Sequence, residues 1–499
     1  MTGTFVLALD EGTTSARSIA FDRSGAVAAV AQREFEQRYP APGDVRHDPE
    51  AIWEAQLATA REVIEAVGGA DAIAAIGVTN QRETAVIWER DGGRPVADAI
   101  VWQSRVTAPF CESLRTAGHE TAIRAKTGLP LDAYFSGPKF RQILLEDPSL
   151  RPRAEAGELA AGTIESFLIG RLTGGRVHVS EVSNASRTLL LDIRSGAWDD
   201  ELLRLMEVPA RLLPEIRSSS EIYGETDPAL FGRPIPIAGA AGDQQAAMFG
   251  QACLSPGEAK VTLGTGAFLL ANTGSEPVES EHGLLATIAW RLGARAPLVY
   301  AVEGSVFVTG AAVQWLRDGL GLIAESGDVE GLAGRANDSG GVVFVPAFVG
   351  LGAPYWDPAA RGTIVGLTRG TGAAEIARAT LESIAFQVRD VVEAMDADLH
   401  SPLSGLRVDG GGTGDLVCQL IADQIGRPVE RPVVRETTAF GAAALAGLAV
   451  GFWSDPAEIG AIRTVERRFE PAAADDLREA GYRAWRRAVE RSRGWAAPG

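Results

Sequence analysis

Two short glycine–threonine turns stand out among the residues that could carry chemistry, because each follows a short apolar run. The first is in "ALDEGTTSAR", where Asp10 ends the run. Four side chains that could donate hydrogen bonds to a phosphate follow: Thr13, Thr14, Ser15 and Arg17. The second, "LGTGAF", is centred on Thr265. A turn with glycine can point several backbone N–H groups into one concavity, which suits phosphate oxygens. An aspartate at a strand end is the hard oxygen ligand that Mg²⁺ accepts.

Either turn taken alone has a simpler interpretation, which is a β-hairpin turn selected for its backbone angles. Two such turns facing each other across a cleft could instead hold a polyphosphate from both sides. A third glycine-rich strand end, "VDGGGTGD" at 408–415, offers bare backbone against which a nucleoside could lie. The chain has no GxxxxGK[ST] segment and no HRD or DFG segment, which excludes a P-loop enzyme and a protein kinase.

Size and composition limit the class of protein. A chain of 499 residues with 46% hydrophobic residues is expected to form two globular domains. A net charge of −18 without a basic cluster argues against binding of nucleic acid. Three scattered cysteines, no basic leader and an apolar run (439–453) too short to span a bilayer predict a cytoplasmic protein without membrane insertion.

The two halves of the chain have a similar pattern of elements. Strands, a glycine turn and a helix that begins at Asp48–Pro49 open the first half; "GEAKVTLGTGAFLLANT", a long helix from residue 373 and the strand "LRVDGG" repeat the arrangement in the second. Mixed strands and helices in both halves predict two α/β domains of related design with a cleft between them. We place the boundary so that the domains are 1–252 and 253–499.

Nine motifs in order make the chain similar to a known family. These are "ALDEGTTSAR", "TNQRET", "AIVWQ", "YFSGPK", "GAAGDQQAAMFGQ", "GTGAF", "PAFVGLGAPYWDP", "GLTRG" and "LRVDGG". Together they resemble the FGGY carbohydrate kinases, and within them the members that phosphorylate glycerol, over nearly the whole chain. The resemblance implies two ribonuclease H-like (actin-like ATPase) domains that close over ATP and a polyol, each domain contributing one phosphate hairpin.

The resemblance also implies a polyol site. Its expected polar residues are Arg82, Glu83, Tyr134, Asp243 and Gln244, and its expected apolar walls are Trp102 and Phe268. Asp243 is the expected general base, since its surroundings in "AGAAGDQQ" leave room for a ligand and supply no basic neighbour in sequence. The simpler alternatives are a surface ion pair for Arg82 and Glu83, core aromatics for Trp102 and Phe268, and a helix N-cap for Asp243.

On the nucleotide side, the resemblance implies that Asp10 holds Mg²⁺, and that Asp10 is catalytic in this sense. Phosphates are expected on the first hairpin (Thr13, Thr14, Ser15 and Arg17) and on Thr265 of the second. The nucleoside is expected beside Gly310, Gln314, Gly411 and Asp415. Asp415 departs from the asparagine usual in the family, exchanging a donor–acceptor amide for an acceptor-only charge.

The activity implied is phosphorylation of glycerol by ATP to give glycerol 3-phosphate, in a homo-oligomer of two or four copies. Two alternatives stay open. One is a kinase of another polyol or a keto-sugar, with xylulose or gluconate as examples. The other is a nucleotide-binding protein of the actin type without kinase activity.

Overall fold

The computed structural model describes residues 3–496 as an α/β protein with two large mixed β-sheets. In chain order the strands are β1 Phe5–Glu11, β2 Ser15–Phe21, β3 Val27–Glu34, β4 Gln37–Arg38, β5 Arg46–His47, β6 Ile73–Asn80, β7 Val86–Glu89, β8 Ala99–Ile100, β9 Leu159–Gly162, β10 Val179–Glu181, β11 Leu191–Asp192, β12 Ala197–Trp198, β13 Glu215–Arg217, β14 Ser220–Glu225, β15 Pro236–Gly242, β16 Ala259–Leu263, β17 Ala267–Gly274, β18 Leu285–Trp290, β19 Val299–Val306, β20 Val343–Val345, β21 Thr363–Val365, β22 Leu406–Asp409, β23 Val429–Pro432 and β24 Val465–Phe469. The helices are α1 Pro49–Ala66, α2 Ala108–Thr116, α3 Glu120–Thr127, α4 Ser136–Glu146, α5 Leu150–Ala156, α6 Ile164–Leu172, α7 Val182–Ala185, α8 Asp200–Leu205, α9 Pro228–Phe231, α10 Asp243–Gly250, α11 Gly310–Asp318, α12 Asp328–Ala333, α13 Ala373–Leu399, α14 Asp415–Ile425, α15 Thr437–Ala449, α16 Pro456–Ile462 and α17 Asp475–Ser492.

The first sheet gathers three strand ends at one edge. Its order is β14-β15-β6-β1-β2-β3, with β1, β6 and β15 parallel to one another. Asp10 in β1 lies opposite Thr79 in β6, and Asn80 at the end of β6 lies opposite Gly242 at the end of β15. Because the carboxyl ends of parallel strands meet at the same edge, the segments that follow Asp10, Asn80 and Gly242 emerge side by side.

The second sheet repeats this topology. Its order is β18-β19-β17-β16-β22-β23-β24, in which the β16–β17 hairpin is antiparallel and β16, β22 and β23 are parallel. Thr262 in β16 lies opposite Asp409 in β22, so the second glycine turn and the glycine-rich loop after Asp409 emerge at one edge. The duplicated hairpin predicted from sequence is therefore present in both halves, at equivalent places in two similar sheets.

A pair of helices joins the two sheets. Helix α15 packs against α10 and against β6, β15 and β1 of the first sheet. Their shared apolar core also includes Leu270 and Ala301 of the second sheet. The backbones touch, because a Cβ at Gly441 would lie 1.8 Å from the Ala246 carbonyl oxygen and a Cβ at Gly250 would lie 2.0 Å from that of Thr437.

Helix α15 forms from most of the apolar run at 439–453. It is buried on nearly all sides, which explains the absence of helical amphipathicity in that segment. It lies in the chain between β23 and β24 of the second sheet but packs on the first. The boundary between 252 and 253 stays a prediction, and this crossing shows that the first sheet receives a helix from beyond it.

Several local predictions are confirmed. Helix α1 begins at Pro49 with Asp48 as its N-cap, whose side chain accepts a hydrogen bond from the Glu50 N–H at 3.0 Å. The predicted long helix from residue 373 is α13, which spans 27 residues and buries Ile384, Val388, Val391 and Met395.

Within residues 3–496, no helix is both long and apolar enough to cross a membrane.

Replacing Gly441 with alanine tests the close helix crossing. The added methyl group has no room against the Ala246 carbonyl, so we expect a loss of about 3 kcal/mol in unfolding free energy, the upper end of overpacking costs. The measurement is urea unfolding followed by circular dichroism. The matched control is Gly331→Ala in α12, where an added Cβ meets nothing within 4 Å, and this variant should be as stable as the parent or slightly more so. Equal stability of both variants would contradict the packing described here.

Candidate active site

The first hairpin places a nearly buried carboxylate beside a shared arginine. Asp10 is 5% exposed and accepts a hydrogen bond from Arg17 at 2.9 Å. Arg17 also donates to Glu436, just before α15, at 2.8 Å. Burial raises the pKa of Asp10, and the charge of Arg17 acts against this rise. The guanidinium group of Arg17 is thus shared by two carboxylates. Its expected contact with a phosphate stays a prediction.

The three hydroxyl groups of the first turn differ from one another in their surroundings. The Thr13 hydroxyl accepts a hydrogen bond from the indole N–H of Trp102 at 3.0 Å. The Ser15 hydroxyl accepts one from Gln32 at 2.9 Å, on the side of the neighbouring strand β3. Thr14 is exposed at the tip of the turn. The turn therefore connects the expected phosphate site with one wall of the expected polyol site.

The second hairpin is held by the start of α11. The N–H groups of Thr309 and Ala311 donate to the Thr265 carbonyl at 2.9 and 3.0 Å, and the Gly310 N–H donates to the Gly264 carbonyl at 3.0 Å. Thr265 is exposed at the tip of the turn. Of the expected nucleoside contacts, Gly310 therefore lies against this hairpin.

The remaining expected nucleoside contacts, Gln314, Gly411 and Asp415, are exposed. A Cβ at Gly411 would meet nothing within 4 Å, so that backbone is open on one side. Asp415 pairs with Arg431 at 2.8 Å and with Arg467. These two arginines offset the charge that distinguishes this chain from the asparagine usual in the family.

Three aromatic side chains of the expected polyol site are half-buried. Trp102 and Tyr134 meet edge to face with ring centroids 5.7 Å apart. The Arg82 guanidinium lies 6.0 Å from the ring centroid of Phe268. Burial raises the pKa of the Tyr134 hydroxyl above its ordinary range, so this group stays a neutral hydrogen-bond donor and acceptor.

Arg82 also belongs to a cluster of buried charged side chains. Arg82 donates two hydrogen bonds to Glu303, at 2.5 and 3.0 Å, and its Nε lies 3.1 Å from Oδ1 of Asp243. Asp243 thus has a basic neighbour that its sequence surroundings do not reveal. Burial alone would raise the pKa of Glu303, but the charges of Arg187 and Arg82 lower it to about 2.

Glu83 is the second carboxylate of this cluster from the first domain. Arg187 donates to Glu83 at 2.7 Å and to Glu303 at 3.2 Å. The side chains of Arg82 and Glu83 are 2% and 1% exposed, which excludes the alternative of a solvated surface pair. Glu83 has a positive φ of 63°, and the buried Lys139 donates to its carbonyl at 3.1 Å. A rare backbone conformation at such a position is typical of functional sites.

Asp243 and Gln244 open α10 at the end of β15. The N-cap of this helix is Gly242, and Asp243 is the first helical residue, so the interpretation of Asp243 as an N-cap is wrong by one position. The Asp243 side chain is 33% exposed, whereas that of its partner Arg82 is 2% exposed. The Gln244 amide oxygen accepts a hydrogen bond from Lys260 of the second sheet.

Sequence reasoning missed three charged residues of this site, which are Glu303, Arg187 and Lys260. Glu303 and Arg187 lie more than 100 residues from the partners that they contact, and Lys260 lies 16 residues from Gln244. Each stands in a strand or turn whose sequence is typical of the core. The only available signal was a charged residue inside an otherwise apolar strand, as in "YAVEGSVF" around Glu303.

The donor set fits a magnesium ion held mainly by a nucleotide. Among residues 3–496 there is no group of three or more His, Cys, Asp or Glu side chains that could hold a metal by itself. Asp10 offers one hard oxygen ligand beside hydroxyl groups and backbone N–H groups. This is the usual composition of a site where Mg²⁺ takes its other ligands from phosphates and water.

The comparisons with known proteins agree with this geometry. Residues 5–250 match the FGGY family of carbohydrate kinases, N-terminal domain, and residues 259–450 match its C-terminal domain. Glycerol kinase 2 of Thermotoga maritima is 55% identical over 98% of this chain and 99% of its own. A crystal structure of Plasmodium falciparum glycerol kinase with ADP has a TM-score of 0.92 and 34% identity over 98% of both chains. Gluconate kinase from Lactobacillus acidophilus, at 22% identity and a TM-score of 0.86 over 97% of both chains, shares the fold.

Two similar sheets, each with a glycine hairpin after one of its central strands, match the actin-like ATPase fold. The matches over both halves assign the branch within that class. The chain belongs to the FGGY family of carbohydrate kinases.

The pH dependence of stability tests the burial of Lys139. Burial lowers the pKa of its ammonium group to about 7 from its ordinary value of 10.5. Between these pH values the unfolded chain keeps the proton and the folded chain releases it, so stability rises with pH, by up to about 1.4 kcal/mol per unit. We expect Lys139→Met to lose this component when unfolding is measured by urea titration from pH 6.5 to 8.5. Parallel pH curves for the two proteins would show that Lys139 does not titrate in this range.

Proposed function

We propose that this protein phosphorylates glycerol with ATP, giving glycerol 3-phosphate and ADP. The observation that carries the proposal is the 55% identity with a glycerol kinase over nearly the full length of both chains. The site supports it, because an acidic group, a buried arginine and aromatic walls converge beside a phosphate hairpin, as a small polyol requires.

In this mechanism the reacting hydroxyl of glycerol attacks the γ-phosphorus of ATP. A new O–P bond forms, the bond to the β,γ-bridging oxygen breaks, ADP leaves, and Asp243 takes the hydroxyl proton. Asp243 suits this role because its side chain is partly exposed while Arg82 Nε lies 3.1 Å from its carboxylate. Positioning and electrostatic stabilisation supply most of the remaining acceleration in phosphoryl transfer.

The phosphates are held by groups from both domains. Thr13, Thr14 and Ser15 act from the first hairpin and Thr265 from the second, with Arg17 adding charge. Asp10 would hold magnesium, and the bound ion would supply neutralisation of the phosphate charge. Gly310, Gln314, Gly411 and Asp415 lie on the nucleoside side.

Wall geometry favours glycerol over a larger sugar. Trp102 is fixed by its hydrogen bond to Thr13 and by its edge contact with Tyr134, so widening the site would break both contacts. A panel of glycerol, xylulose and gluconate with wild-type enzyme should give the highest kcat/KM for glycerol. A higher value for xylulose or gluconate would replace this proposal with the alternative of a sugar kinase.

By family analogy we also propose a homo-oligomer of two or four copies that works in the cytoplasm. Exposed apolar side chains such as Val349 and Leu367 offer contact surface, and the three cysteines are buried free thiols, as suits a reducing compartment. Light scattering coupled to gel filtration measures the assembly.

Asp243→Asn is the sharpest test of the mechanism. The amide keeps the size of the side chain but cannot take the proton, so kcat should fall by about 10²–10⁴-fold while glycerol still binds. A coupled ADP assay gives kcat, and calorimetric titration with glycerol gives binding. The control is Asp71→Asn at an exposed ion pair with Arg233, which should leave both values unchanged. Near-normal turnover of Asp243→Asn would remove Asp243 from the mechanism.

A further inference from the structure

Glu303 is a fully buried carboxylate that belongs to one domain and pairs with charges of the other. It lies in β19 of the second sheet, opposite Leu270 of β17. Its partners, Arg82 and Arg187, belong to the first domain, where Arg82 follows β6 and Arg187 follows α7. The segment "YAVEGSVF" that carries Glu303 has no part in the mechanism above.

The contacts of Glu303 fix the plane of the Arg82 guanidinium. Both carboxylate oxygens accept from Arg82, at 2.5 and 3.0 Å, and a two-point contact of this kind sets orientation as well as distance. With the plane fixed, Arg82 Nε lies 3.1 Å from Asp243 and its Nη1 lies 3.3 Å from the Gln245 amide oxygen. The two-point contact with Glu303 therefore holds the guanidinium of Arg82 in one orientation relative to Asp243.

Glu303 also supports Glu83 through Arg187. One arginine donates to both carboxylates, at 3.2 Å to Glu303 and at 2.7 Å to Glu83. Without Glu303, the two arginines would keep their charges in a buried site with fewer carboxylates around them. A buried charge that has lost its partner moves or recruits another partner, because leaving it unpaired is costly.

We propose that Glu303 is a positioning residue of the polyol site, through which the second domain orients Arg82 and Glu83 for the substrate. The inference rests on the proposed phosphorylation of glycerol and deepens it. The polyol-binding side chains stand on the first domain, but their orientation is complete only with this carboxylate in place.

Glu303→Gln tests the inference with little change in side-chain shape. The amide NH₂ would face an arginine N–H, donor against donor, so one of the contacts must open. We expect the KM for glycerol to rise at least tenfold while the KM for ATP changes less than twofold. Calorimetric titration with glycerol in the absence of nucleotide should show the same loss of affinity.

Glu303→Asp is the rescue variant, since it restores the negative charge on a shorter stem. Its KM for glycerol should lie between those of the wild type and Glu303→Gln. If Glu303→Gln does not fold, Arg187→Lys replaces it, because lysine keeps the charge but lacks the fork that joins Glu83 to Glu303. This variant should also raise the KM for glycerol selectively.

Asp390→Asn is the matched control, a buried carboxylate of the same domain that accepts from Tyr482 and Trp485 away from the site. It should lower the melting temperature and leave the KM for glycerol unchanged. An unchanged KM for glycerol in Glu303→Gln, or equal rises in KM for glycerol and ATP, would overturn the positioning role. Wild-type enzyme that forms no ADP with glycerol would instead overturn the proposed function, so the two failures are distinguishable.

Discussion

The contact between helices α10 and α15 is the constraint on which the rest of the structure depends. Their backbones meet at Gly250 and Gly441 with no room for a side chain, and α15 also lies against the first sheet. Close-packed backbone contacts allow few alternative arrangements, because even one added methylene group must displace its neighbours. Since α10 begins with Asp243 and α15 follows Glu436, the same contact brings the expected base and the carboxylate partner of Arg17 near Asp10, whose pKa the charges of both raise. The geometry of the site therefore depends on the packing of these two helices.

Ion pairs between the two domains determine how the charged side chains of the site are arranged. Five ionic groups lie together, Arg82, Arg187, Glu83, Glu303 and Asp243, and all except Asp243 are nearly inaccessible to solvent. Charges in such surroundings interact more strongly than in water and are held in fixed directions. Asp243 is the partly exposed member of this group. Under the proposed function, the expected walls Trp102 and Phe268 would limit the size of the substrate.

Local patterns in the sequence predict much of this architecture, but they do not predict pairings between residues far apart in the chain. Turn residues, the Pro49 helix start and the β16–β17 hairpin follow from short-range physical preferences, and the structure confirms them. The resemblance of nine motifs supplied the fold class and the family. Glu303 could not be found in this way, because its partners Arg82 and Arg187 lie after β6 and after α7, which only folding brings near. The same holds for α15, whose composition indicates a buried helix without indicating which sheet buries it.

The most direct test of the account is a crystal structure of the enzyme with glycerol, magnesium and a non-hydrolysable ATP analogue. The account predicts phosphate oxygens within hydrogen-bond distance of both turns, at Thr13 or Thr14 on one side and at Thr265 on the other. It also predicts a glycerol hydroxyl between the γ-phosphorus and the Asp243 carboxylate. A closed complex in which the phosphates touch a single turn, or in which another side chain stands next to that hydroxyl, would contradict it.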